Sequence, residues 1–362
     1  MDTKEKSNYT KFIDGESPNF AIWILGISGI IILGILPFLL TRKSFCEKLD
    51  FSKTGDIGDT IGGITAPFIG LIGVLLTFLA FWIQFKANKQ QTRQFEQQDI
   101  SYKRERFETK FYDLLKLHRE NINEFNIQDN VLGRKCFIYM YSELRFCYCL
   151  LFKLYESNYK SGKTKQEMNK EQIFNIAYLT FFFGIGNFSN KAYNELMKYF
   201  DDDLINEFHN LLKGWQKAYN KKQKLVIHHE NNGICELRIK YQPFEGHVSR
   251  LGHYFRHLFQ TIKFVIEQDD KIISNKYEYI KTLRAQLSTH EQLLIYYNSL
   301  TILGKPWNDK NILKDYKFIK NIPLPYADFY KLPKEVFGEV AQEEERFFEW
   351  DEIMERLIKI KG

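Results

Sequence analysis

The chain has 362 residues, 44% of them hydrophobic and 16% aromatic, a composition that can bury a large core and excludes a globally disordered protein. Its net charge of +6 is compatible with an anionic membrane or RNA nearby, but it identifies neither. The five cysteines are odd in number and include no CxxC pair, so we expect no disulfide framework, no metal site and no cofactor.

Two uncharged segments near the N terminus are each long enough to span a membrane. Residues 20–40 and 61–85 contain no Lys, Arg, Asp or Glu. A helix of about 20 apolar residues crosses a bilayer. We therefore predict a transmembrane hairpin over 20–85, with a loop at 41–60, after an N-terminal tail at 1–19.

Lysine and arginine residues indicate the orientation of this hairpin. Nine of them lie in the tail 1–19 and in the 21 residues after the second span, against four in the loop 41–60. Because segments rich in Lys and Arg stay in the cytoplasm, we predict a two-pass membrane protein. Both termini and the main domain are then cytoplasmic.

Small residues recur along the second span, at Gly62, Ala66, Gly70 and Gly73. Such residues let helix backbones approach closely in lipid. The pattern is compatible with a homo-oligomer or a pore wall, and equally with packing against the first span.

A long helix follows the second span. No Pro or Gly occurs from 86 to 130, which predicts one uninterrupted helix, a stalk, over these residues. Its apolar stripe, which includes Phe107, Phe111 and Ile122, is expected to dock onto the globular part. His118 lies within the stripe, where a core role and a functional role are both open.

The remainder is predicted to be mainly α-helical. Apolar residues at helical spacing predict a cytoplasmic helical domain over 131–330, and mixed charges predict an amphipathic C-terminal helix over 331–362. At about 224–241, alternating residues around an Asn-Asn-Gly turn predict a small β-hairpin inserted in this domain.

The segment "RLGHYFRHLFQTIKFVI" predicts an amphipathic helix whose polar face carries Arg250, His253 and His257. The spacing of Arg250 and His257 is that of HEPN-type ribonucleases. In such chemistry the histidine acts as acid or base and the arginine holds a phosphate. Arg and His are common in this chain, so a ligand or partner site on this face also remains open.

The next predicted helix, over 276–300, carries polar residues in or beside its apolar stripe. They are Arg284, Glu291 and Asn298, spaced by seven. A buried carboxylate is unfavourable unless it is paired, so a polar network across helices is expected. Arg256 or His253 is the expected partner of Glu291. A structural lock between helices and a functional site both fit this pattern.

Several segments together resemble the putative phage abortive infection protein family, a bacterial group related to AbiC. The segments are "PFIGLIGVLLTFLAFWIQFKANKQQ", "FETKFYDLLKLHRENI", "GRKCF", "GHVSRLGHYFRHLFQTIKFV", "LRAQLSTHEQLLIYYNSLTILGK" and "LKDYKFIKNIPL". They cover most of residues 60–325. The resemblance implies antiviral defence in which an infected cell is killed or arrested. It also implies a phage trigger or, as in retron-type systems, a partner that restrains the toxin.

We therefore expect a membrane-anchored antiphage effector, a toxin that perturbs the inner membrane through its oligomerising hairpin. One alternative is a membrane-tethered HEPN-like ribonuclease that uses Arg250 and His257. Another is a non-enzymatic sensor or scaffold. The sequence contains no Walker motif and no defensible catalytic triad, which favours a protein that is not an enzyme.

Overall fold

The computed structural model describes residues 57–164, 167–186, 190–200, 202–219, 225–229, 233–338 and 346–361, with isolated helical positions between 24 and 38. Two compact units divide the chain after Asp99. The fold is mainly helical, as predicted. The predicted first span lies largely outside the described residues, and the two-helix hairpin with it.

The longest element is α1, which runs for 67 residues over Ile57–Asn123. It contains the second predicted span and most of the predicted stalk. Pro67 lies inside it, a position that a membrane helix tolerates. The prediction that this helix reaches residue 130 is wrong, because the chain turns back after Asn123.

The turn after α1 is a short β-hairpin of β1 (Asn126–Ile127) and β2 (Val131–Leu132). Gln128 and Asp129 adopt positive φ angles, and the Asn126 side chain accepts a 2.8 Å hydrogen bond from the Asp129 N–H. Asn and Asp favour such turns because their short side chains bind the nearby backbone.

The elements that follow are α2 (Lys135–Lys160), α3 (Lys170–Phe183), α4 (Asn190–Met197), α5 (Asp202–Ala218), β3 (Leu225–His229), β4 (Gly233–Leu237), α6 (Val248–Ile266), α7 (Lys276–Arg284), α8 (Thr289–Ser299), α9 (Lys305–Asp309), α10 (Ile312–Asp315), α11 (Pro333–Phe337) and α12 (Glu349–Lys361). Strands β3 and β4 pair antiparallel, from Leu225 with Leu237 to His229 with Gly233. This small sheet is the β-hairpin predicted at about 224–241.

The core of the C-terminal unit is built around α2, which is apolar on nearly every side and packs against α3, α8 and the β3–β4 hairpin. Cys149 of α2 and Cys235 of β4 form a disulfide there, with Cα atoms 6.7 Å apart. The sequence predicted no framework of disulfides, and it did not predict this single pair. The two cysteines are 86 residues apart, so no local spacing reveals that the fold brings them together.

The segment predicted as one helix over 276–300 is two helices, α7 and α8. Ser288 is the N-cap of α8, and Ser288 and Glu291 form a capping box. The Ser288 N–H donates to Glu291 Oε2 at 2.7 Å. A capping box marks the start of a helix, so the predicted helix is interrupted between Arg284 and Glu291.

Candidate functional site

A buried polar cluster lies where α1, α6 and α8 meet within the C-terminal unit. We call it the Glu291 cluster, and it consists of Glu291, Tyr254, His118, His257 and Arg134. Tyr254 donates its hydroxyl hydrogen bond to Glu291 Oε1 at 3.0 Å. The other carboxylate oxygen, Oε2, accepts the Ser288 N–H hydrogen bond of the α8 cap. Glu291 is therefore held from two sides while it is completely buried.

His118 enters this cluster from α1. Its side chain is only 1% exposed because neighbouring residues of the same helix face, such as Phe111 and Ile122, are buried in the core. The Nε2 atom lies 3.9 Å from Glu291 Oε1, which is too long for a hydrogen bond. Neither ring nitrogen of His118 has a hydrogen-bond partner among the described residues.

An unpaired polar atom in a protein interior is uncommon and unfavourable by about 1–3 kcal/mol. Burial, followed by the nearby His257 and Arg134, lowers the pKa of His118 to about 4, so its ring is neutral near pH 7. Burial also raises the pKa of Glu291 above its ordinary value. A histidine that resists protonation thus lies beside a carboxyl group that resists ionisation.

Two basic side chains border the cluster. Arg134 is half exposed, with its Nε 3.7 Å from Glu291 Oε2, and it donates to the Gln286 carbonyl at 2.6 Å. The His257 ring stacks on the His118 ring with centroids 6.1 Å apart. His257 Nε2 lies 3.2 Å from the Leu114 carbonyl oxygen of α1.

A shift of about 1 Å would bring His118 and Glu291 within hydrogen-bond distance. An arrangement in which the ring and the carboxyl group are paired is therefore a small displacement away from the one observed. A proton taken up by His118 would favour that arrangement, since the pair would then be charged and attractive.

The predicted partners of Glu291 are wrong. His253 and Arg256 lie on the exposed side of α6, whereas Tyr254, between them in sequence, faces inward and binds Glu291. The reason is the rotation of about 100° per residue in a helix, which directs neighbouring side chains to different faces.

Arg250 and His257 are held by different backbone carbonyls. Arg250 Nε donates to the Asn126 carbonyl of β1 at 2.7 Å, and His257 lies against Leu114. They are seven residues apart on α6, which separates their Cα atoms by about 10 Å along the axis. The structure thus gives each side chain a contact with the backbone of another element.

The other two predicted network residues are buried, but in separate places. Arg284 donates to the Lys317 carbonyl at 2.6 Å. The Asn298 amide donates to the Tyr178 hydroxyl at 2.7 Å and accepts from the Trp307 indole at 3.0 Å. Because the capping box divides the predicted helix, Arg284, Glu291 and Asn298 do not form one network.

A second buried carboxylate, Glu143 of α2, is not singled out by the sequence pattern. Its oxygens accept from the Tyr241 hydroxyl at 2.7 Å and from the Phe244 N–H at 2.8 Å. His247 Nε2 lies 3.2 Å away. We call these four residues the Glu143 cluster. A signal was present, since Glu143 lies among apolar residues of a helix that is apolar on nearly every side, and a buried carboxylate must be paired.

The Glu143 cluster fixes the loop that leads into α6. There the His247 N–H donates to the Phe182 carbonyl at 2.8 Å. Gly184 and Gly246 both have positive φ angles and lie where two backbone segments touch. A Cβ on Gly184 would overlap the backbone of Glu245, and a Cβ on Gly246 would overlap the backbone of Phe183. The two backbones approach so closely that both positions require glycine.

Comparison with known families identifies this region of the chain. Residues 246–326 match the putative phage abortive infection protein family. This abortive-infection segment begins at the Gly246 turn and contains α6, α7 and α8. It confirms the expected resemblance over these residues. No curated protein and no solved structure matches the chain.

The abortive-infection segment supplies part of each cluster. Tyr254, His257 and Glu291 lie inside it, whereas His118 comes from α1 and Arg134 precedes α2. Across the described ranges, no group of three His, Cys, Asp or Glu side chains is arranged to hold a metal ion. In the Glu291 cluster, Glu291 and His257 of the abortive-infection segment contact α1.

The N-terminal unit contains the predicted transmembrane packing residues. From Gly62, α1 is long and apolar enough to cross a membrane by length and composition. Gly62, Ala66, Gly70 and Gly73 are exposed. Gly70 and Gly73 also line an open groove of about 500 Å³ on this helix.

Proposed function

We propose that this protein is a membrane-anchored abortive-infection effector that arrests infected cells by acting on the inner membrane. The match of residues 246–326 supports the role in phage abortive infection. The membrane part of the proposal is carried by one observation, the apolar surface of α1.

Large apolar side chains of α1 are exposed from Phe68 to Phe85, with Val74 67% and Phe81 68% exposed. In water such a band would drive aggregation, whereas in a bilayer it is the favoured surface. The same helix continues to His118 and Ile122 in the core of the C-terminal unit. One helix therefore bears both the apolar band and one wall of the Glu291 cluster.

The proposed trigger is a change in the Glu291 cluster. An infection signal, from a phage component or a restraining partner, would favour the arrangement in which His118 pairs with Glu291. Because His118 is part of α1, a change in how the abortive-infection segment binds it would act on the membrane helix. Such coupling needs an element with two discrete arrangements, and we propose that His118 and Glu291 form it, because the histidine is buried without a partner among the described residues.

We also propose that the protein crosses the inner membrane twice, with both ends in the cytoplasm, because Lys and Arg flank the spans on that side. A cysteine-reactive reagent that cannot cross the membrane tests this topology. The native Cys46 of the loop 41–60 should react in whole cells, and a cysteine placed at Lys359 in a Cys46→Ser chain should not. The opposite labelling pattern would refute the cytoplasmic location of the C-terminal unit.

Dye uptake by cells that express the full chain tests the membrane action. We expect dye to enter before RNA is degraded. Gly70→Leu should abolish dye entry and growth arrest, because it enlarges a helix face that small residues keep flat. In the described part of the chain, a Cβ on Gly70 meets nothing within 4 Å, so the variant should fold. A matched control is Gln90→Leu on the polar part of α1.

The same experiment separates this proposal from the ribonuclease alternative. Growth arrest with sealed membranes and cleaved RNA would refute membrane action and favour a ribonuclease that uses Arg250 and His257. Arrest with both membranes and RNA intact would favour a sensor or scaffold. Unchanged dye entry in Gly70→Leu would refute the role of the small-residue face.

A further inference from the structure

We infer that a second copy of the chain pairs in parallel along one face of α1, and that this pairing extends beyond the membrane. We call this face the α1 seam. It consists of Gly70, Val74, Thr77, Phe81, Gln84, Asn88, Gln91, Phe95 and Gln98. The inference rests on the proposed function, since it names the partner of the membrane helix.

The α1 seam follows the spacing of a parallel helix pair. Its members alternate by four and three residues from Gly70 to Gln98, the period of 3.5 that keeps one face of a helix against a partner helix. The first part of the seam is apolar or small, and the part after Phe85 is rich in amides. All nine positions lie within the N-terminal unit.

The α1 seam is exposed along its whole length, and Phe95, well past the apolar band, is still 59% exposed. The less exposed positions of the span behave differently. Thr65, Ile72 and Leu79, at steps of seven, lie on the opposite face of α1 and are the more covered ones. In the described part of the N-terminal unit, the covered positions of the span thus lie on the face opposite the seam, and the seam itself is exposed.

The groove on α1 coincides with the seam. Gly70, Val74, Thr77 and Phe81 line it, together with Gly73 and Phe78. Its lining combines small and aromatic residues, a combination that suits the insertion of a side chain from a second helix.

The charges of α1 favour an identical partner. Between Gln84 and Gln98, the charged residues Lys86, Lys89, Arg93 and Glu96 all fall outside the seam, and Asp99 lies at its edge. In a parallel pair of identical helices each seam residue faces its own copy, so a charge there would be repulsive. The seam is the face along which two copies meet without like charges.

The amides of the seam add self-complementarity. Asn88 and Gln91 each carry both hydrogen-bond donors and an acceptor, so each can bind its own copy. A single polar residue in such a seam commonly fixes register. Copies inserted in one membrane share one orientation, which makes the pair parallel.

Cysteine crosslinking of the full chain in native membranes tests the seam. Asn88→Cys and Gln91→Cys should form disulfide-linked dimers on mild oxidation about fivefold more than Lys89→Cys and Arg93→Cys, because only seam positions face their own copies. The unsubstituted chain, with its five native cysteines, sets the background. Equal crosslinking at all four positions, or none above background, would overturn the inference.

A charge variant gives an independent measurement. Asn88→Lys should shift detergent-solubilised protein toward monomer, whereas Gln90→Lys, outside the seam, should not. An unchanged mass for Asn88→Lys would count against the seam. Crosslinking reports on pairing and dye uptake reports on membrane action. Seam crosslinks without dye entry would refute the proposed function alone, and dye entry without seam crosslinks would refute the seam alone.

Discussion

Glu143 and Glu291 are both completely buried carboxylates, each bound by a tyrosine hydroxyl and approached by a histidine, but the two histidines differ. His247 lies 3.2 Å from Glu143 and within hydrogen-bond distance. His118 lies 3.9 Å from Glu291 and neither of its nitrogens has a partner in the described structure. His247 is thus paired through Nε2, although its Nδ1 has no partner among the described residues, whereas His118 is paired through neither nitrogen. In this sense we call the Glu143 cluster closed and the Glu291 cluster open.

On this difference we base the proposal that one cluster has a structural role and the other a functional role. A closed network of hydrogen bonds rigidifies a fold, and the Glu143 cluster does so at the entry to α6. An open network retains an unfavourable buried group, which persists where function requires it. The open cluster also joins the abortive-infection segment to the helix with the apolar band. We therefore propose that Glu143 is the lock and that Glu291 and His118 are the switch.

The largest expected loss of stability follows from a substitution that breaks the closed cluster. Glu143→Ala removes the acceptor for Tyr241, Phe244 and His247 and should lower the free energy of unfolding by about 3–5 kcal/mol. Glu291→Ala should lower it by about 2 kcal/mol, because desolvation already opposes that carboxylate. Thermal unfolding of the full chain in detergent compares them. Equal losses would contradict the division into lock and switch.

The next effect is a pH dependence. The pKa of His118 is about 4 in the folded chain, against about 6.5 for an unperturbed histidine. The unfolded chain therefore binds more protons between these values. Stability is complete above about pH 6.5 and declines by up to roughly 3 kcal/mol as the pH falls toward 4.

A variant isolates this contribution. His118→Phe should lack the decline, so its stability relative to the unsubstituted chain should rise steadily from pH 6.5 to 4. Glu291 acts in the opposite direction, since its raised pKa favours the folded state at low pH, and it is present in both proteins. Parallel pH curves for the two proteins would show that His118 is not held neutral in the fold.

A smaller effect concerns the cap of α8. Ser288→Ala should lower the free energy of unfolding by about 1 kcal/mol, as loss of an N-cap does. It should also alter growth arrest, because the cap holds Glu291 in place. Asn275→Ala, which removes the cap of α7, is the matched control. This control should lower the free energy of unfolding by a similar amount and leave growth arrest unchanged. Equal effects on arrest would remove the link between the cap and function.

Local patterns in the sequence predicted the helices well. The long α1, the buried α2 and the β3–β4 hairpin follow from periodicity and turn residues, which act over a few positions. Two errors were also local and avoidable. Ser288 and Glu291 carry the spacing of a capping box that divides the predicted helix, and Asn126 with Asp129 forms the turn that ends α1.

The contacts of the candidate site could not be predicted in this way. The meeting of His118 with Glu291 joins residues 173 positions apart in the sequence, and Cys149 with Cys235 is a similar case. Such pairs depend on how helices pack. An unpaired buried carboxylate is unfavourable, so a buried glutamate indicates that partners exist. It does not indicate which residues these partners are.

The most direct test of the account compares His118→Phe with His247→Phe in the full chain, measuring unfolding free energy and growth arrest for each. Phenylalanine fills the site without polar atoms. His118→Phe should stabilise the protein by about 1 kcal/mol, since it removes unpaired buried nitrogens, and should abolish arrest. His247→Phe should destabilise by a similar amount. If His118→Phe destabilises as much as His247→Phe and growth arrest persists, the Glu291 cluster is a lock and not a switch.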